Sequence, residues 1–311
     1  MRNLKNVLKE LETYYVLQDD KVIKLNQNES PYDVPSELKA EIQEKLQLAA
    51  WNRYAELRPQ PLIHAISEYT NHPADGIIPG NGSNEMIQTL MNAFCYSGDK
   101  ILVVTPGFSV YPRLAKIMGL DVIEVPLLED FSFDVPGIIE KSADAKLLFL
   151  ANPNAPTGTI LKIEQIEDIA QNISGVLAID EAYYEFYGNS AQSLLDRYDN
   201  VVVIRTCSKA FSLAGLRLGY MLCKPDVAVH LEKAKLPFSV GIFQQIAGEV
   251  LMKNHTYILK IAGQIVEERE RILKEMLALP NINVVPSYTN FILFEIEHKT
   301  APEGYQAFYD K

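Results

Sequence analysis

Cysteine is scarce in this chain: Cys95, Cys207 and Cys223 are the only three among 311 residues, and no two of them form a CxxC pair. So odd and sparse a set argues against a disulfide framework and predicts reduced thiols in a cytosolic (cytoplasmic) protein. The five histidines are scattered and have no metal-ligand spacing. No apolar run approaches the roughly 18 residues that a membrane span needs. The amino-terminal MRNLKNVLKELE is charged rather than signal-like. Basic charge is also in short supply: 29 Lys and Arg stand against 40 Asp and Glu, a formal net charge of −11. Because the basic residues are dispersed, neither nucleic acid nor an anionic membrane surface is expected as a partner. An anionic small ligand therefore has to be captured by a local site acting against the global field.

What is present is ordinary globular material, 48% hydrophobic and 22% charged, without repeats or low-complexity linkers. The length suits one large domain plus a smaller one. Residues 83–95 read as a helix entered through a Gly/Asn/Ser turn. Short apolar strands are expected at 100–104, 120–125, 146–151, 176–180 and 201–204, with helices at 109–118 and 162–171 among the connections. Strands alternating with helices predict an α/β fold with a mostly parallel central sheet covered on both faces. After about residue 240 the pattern changes. Residues 242–279 carry Ile, Leu and Met at helical spacing, and NFILFEI at 290–296 reads as a strand. The expected division is a large domain over 31–245 and a smaller α+β domain from 1–30 and 246–311, shortened at its carboxyl end.

Parallel sheets bind ligands beyond the carboxyl ends of their strands, so the residues after each apolar run carry the interest. LLFLA is followed by Asn152-Pro153-Asn154-Ala155-Pro156-Thr157-Gly158, VLAI by Asp180, Glu181, Ala182 and Tyr183, and VVVI by Arg205, Thr206, Cys207, Ser208 and Lys209. Gly82-Ser83-Asn84 opens the helix at 83 with free backbone N–H groups and a positive dipole end, which suits a phosphate. Taken alone, a helix cap is the commoner reading of that turn. Arg217 and the hydroxyls of Thr206 and Ser208 would add charge-assisted bonds to the same anion. Lys209, just after a strand, is either a surface charge or an amine that forms a Schiff base with a carbonyl. Asp180 ends an apolar strand and should be poorly solvated. It needs a cationic partner, either a structural Arg or Lys or a protonated ring nitrogen, or else its pKa rises.

With these residues in view, the chain resembles the pyridoxal-5′-phosphate (PLP)-dependent aminotransferases of the aspartate-aminotransferase fold, and most of all their histidinol-phosphate aminotransferase branch. The matching segments are LNQNESP (25–31), GNGSNE (80–85), PGFSVY (106–111), NPNAPTG (152–158), DEAYYEF (180–186) and RTCSKAFSLAGLRLGY (205–220). The resemblance implies that Lys209 carries PLP as a Schiff base and then moves protons as base and acid, while Asp180 keeps the pyridine nitrogen protonated. It implies that Tyr183 donates to the ring oxygen O3′ and that Phe108 stacks on the ring. Ser83, Asn84, Thr206, Ser208 and Arg217 would clamp the phosphate. Tyr54 would reach the phosphate of a neighbouring subunit across a homodimer interface, and Asn28 lies where relatives contact the substrate carboxylate. The implied reaction moves the amino group of L-histidinol phosphate to a 2-oxo acid, 2-oxoglutarate. The same scaffold also serves aromatic and other amino-acid aminotransferases, phosphothreonine-type decarboxylases and non-catalytic PLP-binding paralogues.

The chain departs from the pattern twice. Relatives have Asn immediately before Pro-Thr-Gly, where its amide bonds O3′; here stands Ala155, with Asn154 as the candidate substitute. Relatives also continue through a strand whose Arg forks onto the substrate carboxylate, whereas this chain ends at Lys311 without it. Cofactor binding is accordingly expected with more support than efficient turnover.

Overall fold

The runs KILVVT, AKLLFLA, VLAID and VVVIRT are short, apolar and β-branched, which suits strands buried on both faces. They form the middle of the sheet in the computed structural model, which describes residues 4–17, 19 and 21–310. The chain opens with helices α1 (Val7–Glu10), α2 (Ser36–Leu48) and α3 (Gln60–Thr70). Strand β1 (Ile77–Gly80), α4 (Ser83–Phe94), β2 (Lys100–Thr105), α5 (Val110–Met118), β3 (Asp121–Pro126) and α6 (Val135–Lys141) follow. Next come β4 (Ala145–Ala151), α7 (Ile163–Asn172), β5 (Val176–Asp180), the short α8 (Tyr184–Tyr187), β6 (Val201–Thr206) and β7 (Gly219–Leu222). Helices α9 (Pro225–Ala234), α10 (Ile242–Lys253) and α11 (His255–Met276) lead to the small hairpin β8 (Ile282–Val284) and β9 (Phe294–Ile296), and α12 (Ala301–Tyr309) comes last.

The large sheet has the order β1-β7-β6-β5-β4-β2-β3. Strand β7 pairs antiparallel with both β1 and β6, and the remaining pairs are parallel. The carboxyl ends of β1, β4, β5 and β6 therefore share one edge with the start of β7. Alternation along the strands sends side chains to two apolar layers. On one face Leu177, Ile179, Val201 and Val203 pack with Leu62, Ile66 and Leu222. On the other, Ala178, Val202 and Ile204 pack with Met86, Ile87, Leu90 and Tyr111. By the same alternation Asp180 and Thr206 belong to the second face, while Glu181 and Arg205 belong to the first.

The expected strands and the helices at 83–95, 109–118 and 162–171 are present with ends shifted by no more than two residues. The helices expected over 242–279 are α10 and α11, separated at Asn254, whose side chain turns back to the Val250 carbonyl (2.8 Å) and ends the first of them. One expectation needs correction. In NFILFEI only Phe294–Ile296 is strand; Asn290 and Phe291 are instead turned toward Asn28 and Tyr183. Strands β1 (IIPG) and β7 (GYML) had no counterpart in the sequence reading. Four residues containing Pro or Gly give no period to detect, yet these strands bring α4 to the functional edge.

Gly219, at the start of β7, is closely packed by backbone on that edge. A Cβ there would sit 2.5 Å from the Ser83 nitrogen, 2.7 Å from the Gly82 carbonyl carbon and 3.0 Å from the Arg205 oxygen, all of them backbone. Gly219→Ala is expected to lower unfolding stability by about 1–3 kcal/mol, read from the denaturant midpoint. An unchanged midpoint would mean that the turn before α4 shifts without cost.

Candidate active site

The desolvated carboxylate of Asp180 organises the site. It is 4% exposed, accepts a hydrogen bond from the Tyr111 hydroxyl (2.8 Å) and another from the Ala182 N–H (3.1 Å), and makes no ion pair among the described residues. Burial outweighs those two donors and pushes its pKa up to about 6. Tyr111 is held in place by stacking on Phe149 (centroids 5.0 Å apart) and by the edge of Phe108 (5.3 Å).

Lys209 lies on the loop after β6. Its Nζ donates to the Gln27 carbonyl (2.6 Å), and burial lowers its pKa from the ordinary lysine range, with Glu29 opposing and Arg217 assisting. Lys209 and Asp180 each feel the other's charge. The amine stands 5.9 Å from the centre of the Tyr183 ring. Tyr183 is itself buried, which pushes its phenol up to about 12, and its hydroxyl accepts from the Asn28 amide (3.0 Å).

A third feature lies beside these. Helix α4 starts at Gly82 without a side-chain cap, so its first N–H groups and positive dipole end are free for an anion. Over that helix end lies Arg217, close enough that a Cβ on Gly82 would meet its Nη2 at 2.6 Å. Arg217 donates to Ser208 Oγ (3.1 Å), to which Thr206 also donates (3.1 Å), and it has no carboxylate partner among the described residues. A guanidinium stacked on the positive end of a helix is an unfavourable pair until an anion joins them. The uncapped start of α4 at Ser83 and Asn84 thus lies beside Arg217, Ser208 and Thr206, an arrangement suited to an anion.

The other expected residues fall as follows. Phe108 packs beside Tyr111 at the edge. Tyr54 is 84% exposed and stacks on Phe238 at 4.7 Å. Asn154 is fully buried, but both hydrogens of its amide are committed, to the Pro106 carbonyl (3.0 Å) and to Thr157 Oγ1 (2.9 Å). Asn154 therefore does not fill the donor place that Ala155 leaves, a correction to the expectation; its Oδ1 remains buried without a partner.

Sequence reasoning missed Tyr111 as the partner of Asp180, Gln27 as the partner of Lys209, and the pair Glu181–Arg205. In that pair Arg205 Nε donates to Glu181 Oε2 at 3.0 Å, with side chains 2% and 0% exposed. Ser190 and the Ala191 N–H complete the Glu181 carboxylate, and the guanidinium lies 3.8 Å over the Tyr184 ring. A detectable signal existed: two opposite charges, each ending an apolar strand, on strands expected to be neighbours.

The fold and this site define a family. The chain belongs to the aminotransferase class I and II family, whose model matches residues 20–311. Among relatives, it is 39% identical over 294 residues to a histidinol-phosphate aminotransferase of Thermococcus kodakarensis, covering 94% of this chain and 85% of that protein. Among solved structures, the histidinol-phosphate aminotransferase of Clostridium acetobutylicum superposes with a TM-score of 0.83 at 26% identity, covering 91% of this chain and 86% of that one. The histidinol-phosphate aminotransferase of Sinorhizobium meliloti in complex with pyridoxal-5′-phosphate has a TM-score of 0.86 at 21% identity (96% and 83% covered), a likeness of fold. No described helix is long and apolar enough to cross a membrane.

The raised pKa of Asp180 has a stability consequence. Its carboxyl titrates near 6 when folded against an ordinary 3.8, so between these values the folded state holds more protons. Stability must then fall as pH rises from 4 to 6, by about 3 kcal/mol for this group. In cofactor-free protein Asp180→Asn should gain stability relative to the parent as pH rises through this window. Parallel urea-stability curves for the two proteins would contradict the assignment.

Proposed function

We propose that this chain is a PLP-dependent aminotransferase that takes the amino group of L-histidinol phosphate and delivers it to 2-oxoglutarate. The observation that carries the reading is the convergence on one sheet edge of a buried carboxylate with no ion-pair partner among the described residues, a desolvated lysine, and an uncapped helix end under an arginine with no carboxylate partner among them. A phosphorylated, cationic aromatic aldehyde matches all three. The identity of the amino donor rests on the histidinol-phosphate aminotransferases that the chain is similar to along nine-tenths of its length.

When bound, the cofactor supplies an electron sink that takes up the electron pair of a breaking bond at the substrate carbon. The chain's own residues do the rest. Asp180, a buried carboxylate with no other cation paired to it among the described residues, would keep a proton on the ring nitrogen by serving as its counter-ion. The lowered pKa of Lys209 lets its Nζ act as nucleophile and then take and return a proton. The Tyr183 hydroxyl would donate a hydrogen bond to the ring oxygen, and Phe108 would bound the ring face. The N–H groups of Ser83 and Asn84, with Thr206, Ser208 and Arg217, hold the phosphate. Asn28 bounds the substrate side, and Asn154 contributes as a wall of the pocket. In this proposal residues 31–245 form the cofactor-binding body, and 1–30 with 246–311 form a smaller part over it.

The working unit is proposed to be a homodimer, with Tyr54 reaching the phosphate of the other copy. Support comes from exposed apolar side chains around Tyr54: Leu48 and Trp51 precede it, and Leu236 adjoins its stacking partner Phe238, all of them exposed. Such a strip is costly to leave in water.

Purified protein given PLP and L-histidinol phosphate should form glutamate from 2-oxoglutarate. Carbon dioxide release from a phosphorylated amino acid, without glutamate, would overturn the transferase reading in favour of a decarboxylase. Lys209→Ala should lose amino transfer by at least about three orders of magnitude, and ordinary turnover would refute its role. Arg217→Ala should weaken PLP affinity about 10-fold or more by loss of a charge-assisted contact, followed by equilibrium dialysis. Unchanged affinity would refute the cradle.

A further inference from the structure

A relay of hydrogen bonds runs from the far end of the chain to the hydroxyl in the site. Asn290 donates from Nδ2 to the backbone carbonyl of Asn28 (2.9 Å), and Asn28 donates from its own Nδ2 to the Tyr183 hydroxyl oxygen (3.0 Å). Asn28 has φ 52°, in the left-handed region, which Asn tolerates better than most residues but which needs support from its surroundings. The turn bearing Asn290 is clamped from behind. Buried Arg269 of α11 donates to the Thr289 carbonyl (2.9 Å), and the Tyr288 N–H bonds the Gly158 carbonyl (2.9 Å). Phe291, next in sequence, meets the Tyr183 ring edge-on at 5.2 Å. The Oδ1 of Asn290 is buried without a partner, a cost that a mere packing role would not require.

The direction of these bonds matters. An amide nitrogen only donates, so Asn28 occupies the acceptor side of the Tyr183 oxygen. The single phenolic hydrogen is left unspent, and among the described residues Tyr183 donates to no side chain or backbone group. Ala155 offers no amide and the Asn154 hydrogens are already used, so among these groups Tyr183 is the hydroxyl or amide donor with a proton still to give.

We propose that Asn290 is a positioning residue of the active site: it locks Asn28 in the conformation from which the Asn28 amide orients the Tyr183 hydroxyl to donate a hydrogen bond to the bound cofactor. This rests on the PLP reading above. A donor to the ring oxygen stabilises the unprotonated form of the lysine–cofactor chromophore and so lowers the pH at which its colour changes. Weakening the relay must raise that pH.

The test is a spectroscopic pH titration of PLP-loaded protein. Asn290→Ala and Asn28→Gly, the latter keeping the left-handed backbone without the amide, should each move the midpoint upward by about half a unit or more. Asn290→Ala should add nothing in the Asn28→Gly background, because both act on one relay. An unmoved midpoint in either single variant overturns the proposal, as does a full further shift in the double variant. Should Asn290→Ala fail to fold, Asn290→Leu, close in size but without the amide, decides by the same criterion. Failure of the parent protein to form any lysine–PLP chromophore would overturn the functional reading itself, and this proposal with it; the two failures are thus distinguishable.

Discussion

The site depends on how the ends of β5 and β6 are locked to each other. The strands run parallel with Asp180 opposite Ile204, and the Glu181 N–H bonds the Ile204 carbonyl at 2.8 Å. On one face of that junction the buried Glu181–Arg205 pair ties the strands together with charge. On the other face the same register presents Asp180 and Thr206. Because side chains alternate at every residue, fixing that pair also fixes Asp180 and Thr206 on the opposite face. A buried ion pair gives little net stability, but losing one partner leaves an uncompensated charge. The pair is therefore better understood as a setting of register than as a source of stability.

Three segments far apart in sequence converge on this junction and change the chemistry of its groups. The loop at 24–30 covers Lys209 and takes its Nζ on the Gln27 carbonyl. The turn at 286–291 leans on Gly158, where a Cβ would meet Ser287 Oγ at 2.7 Å, and it reaches Asn28. Helix α5 supplies Tyr111. Each removes water from a charged or polar group, and desolvation is the leading cause of the shifts at Asp180, Lys209 and Tyr183. The carboxyl rises and the ammonium falls, and a carboxylate that seeks a cation then faces an amine that gives up its proton readily. Against a net charge of −11, the proposed anion cradle relies on local donors: one helix end, two hydroxyls and one guanidinium.

Much of this was legible in the sequence. Lys209 and Asp180 stand out because they follow apolar runs, and the parallel-sheet rule says where such positions meet; the Gly82 turn stands out because it opens a helix, and Arg217 as a guanidinium that could join an anion there. The α/β order could be read because strand and helix periods differ. Asn154 was misjudged because a sequence cannot tell which amide hydrogens are already used, and NFILFEI was misjudged because apolar spacing is the same whether a residue joins a ladder or caps a site.

The sequence by itself determined the chemistry available and its order along the chain: which residues end strands, which can donate, and which family pattern they follow. Only the tertiary structure decided that the short strands β1 and β7 would bring an uncapped helix under Arg217. It also decided that Asn28 would be held from residue 290, and that Tyr111 rather than a cation would face Asp180. Those outcomes depend on long-range packing and on the exclusion of water, and neither is a property of any local stretch of residues.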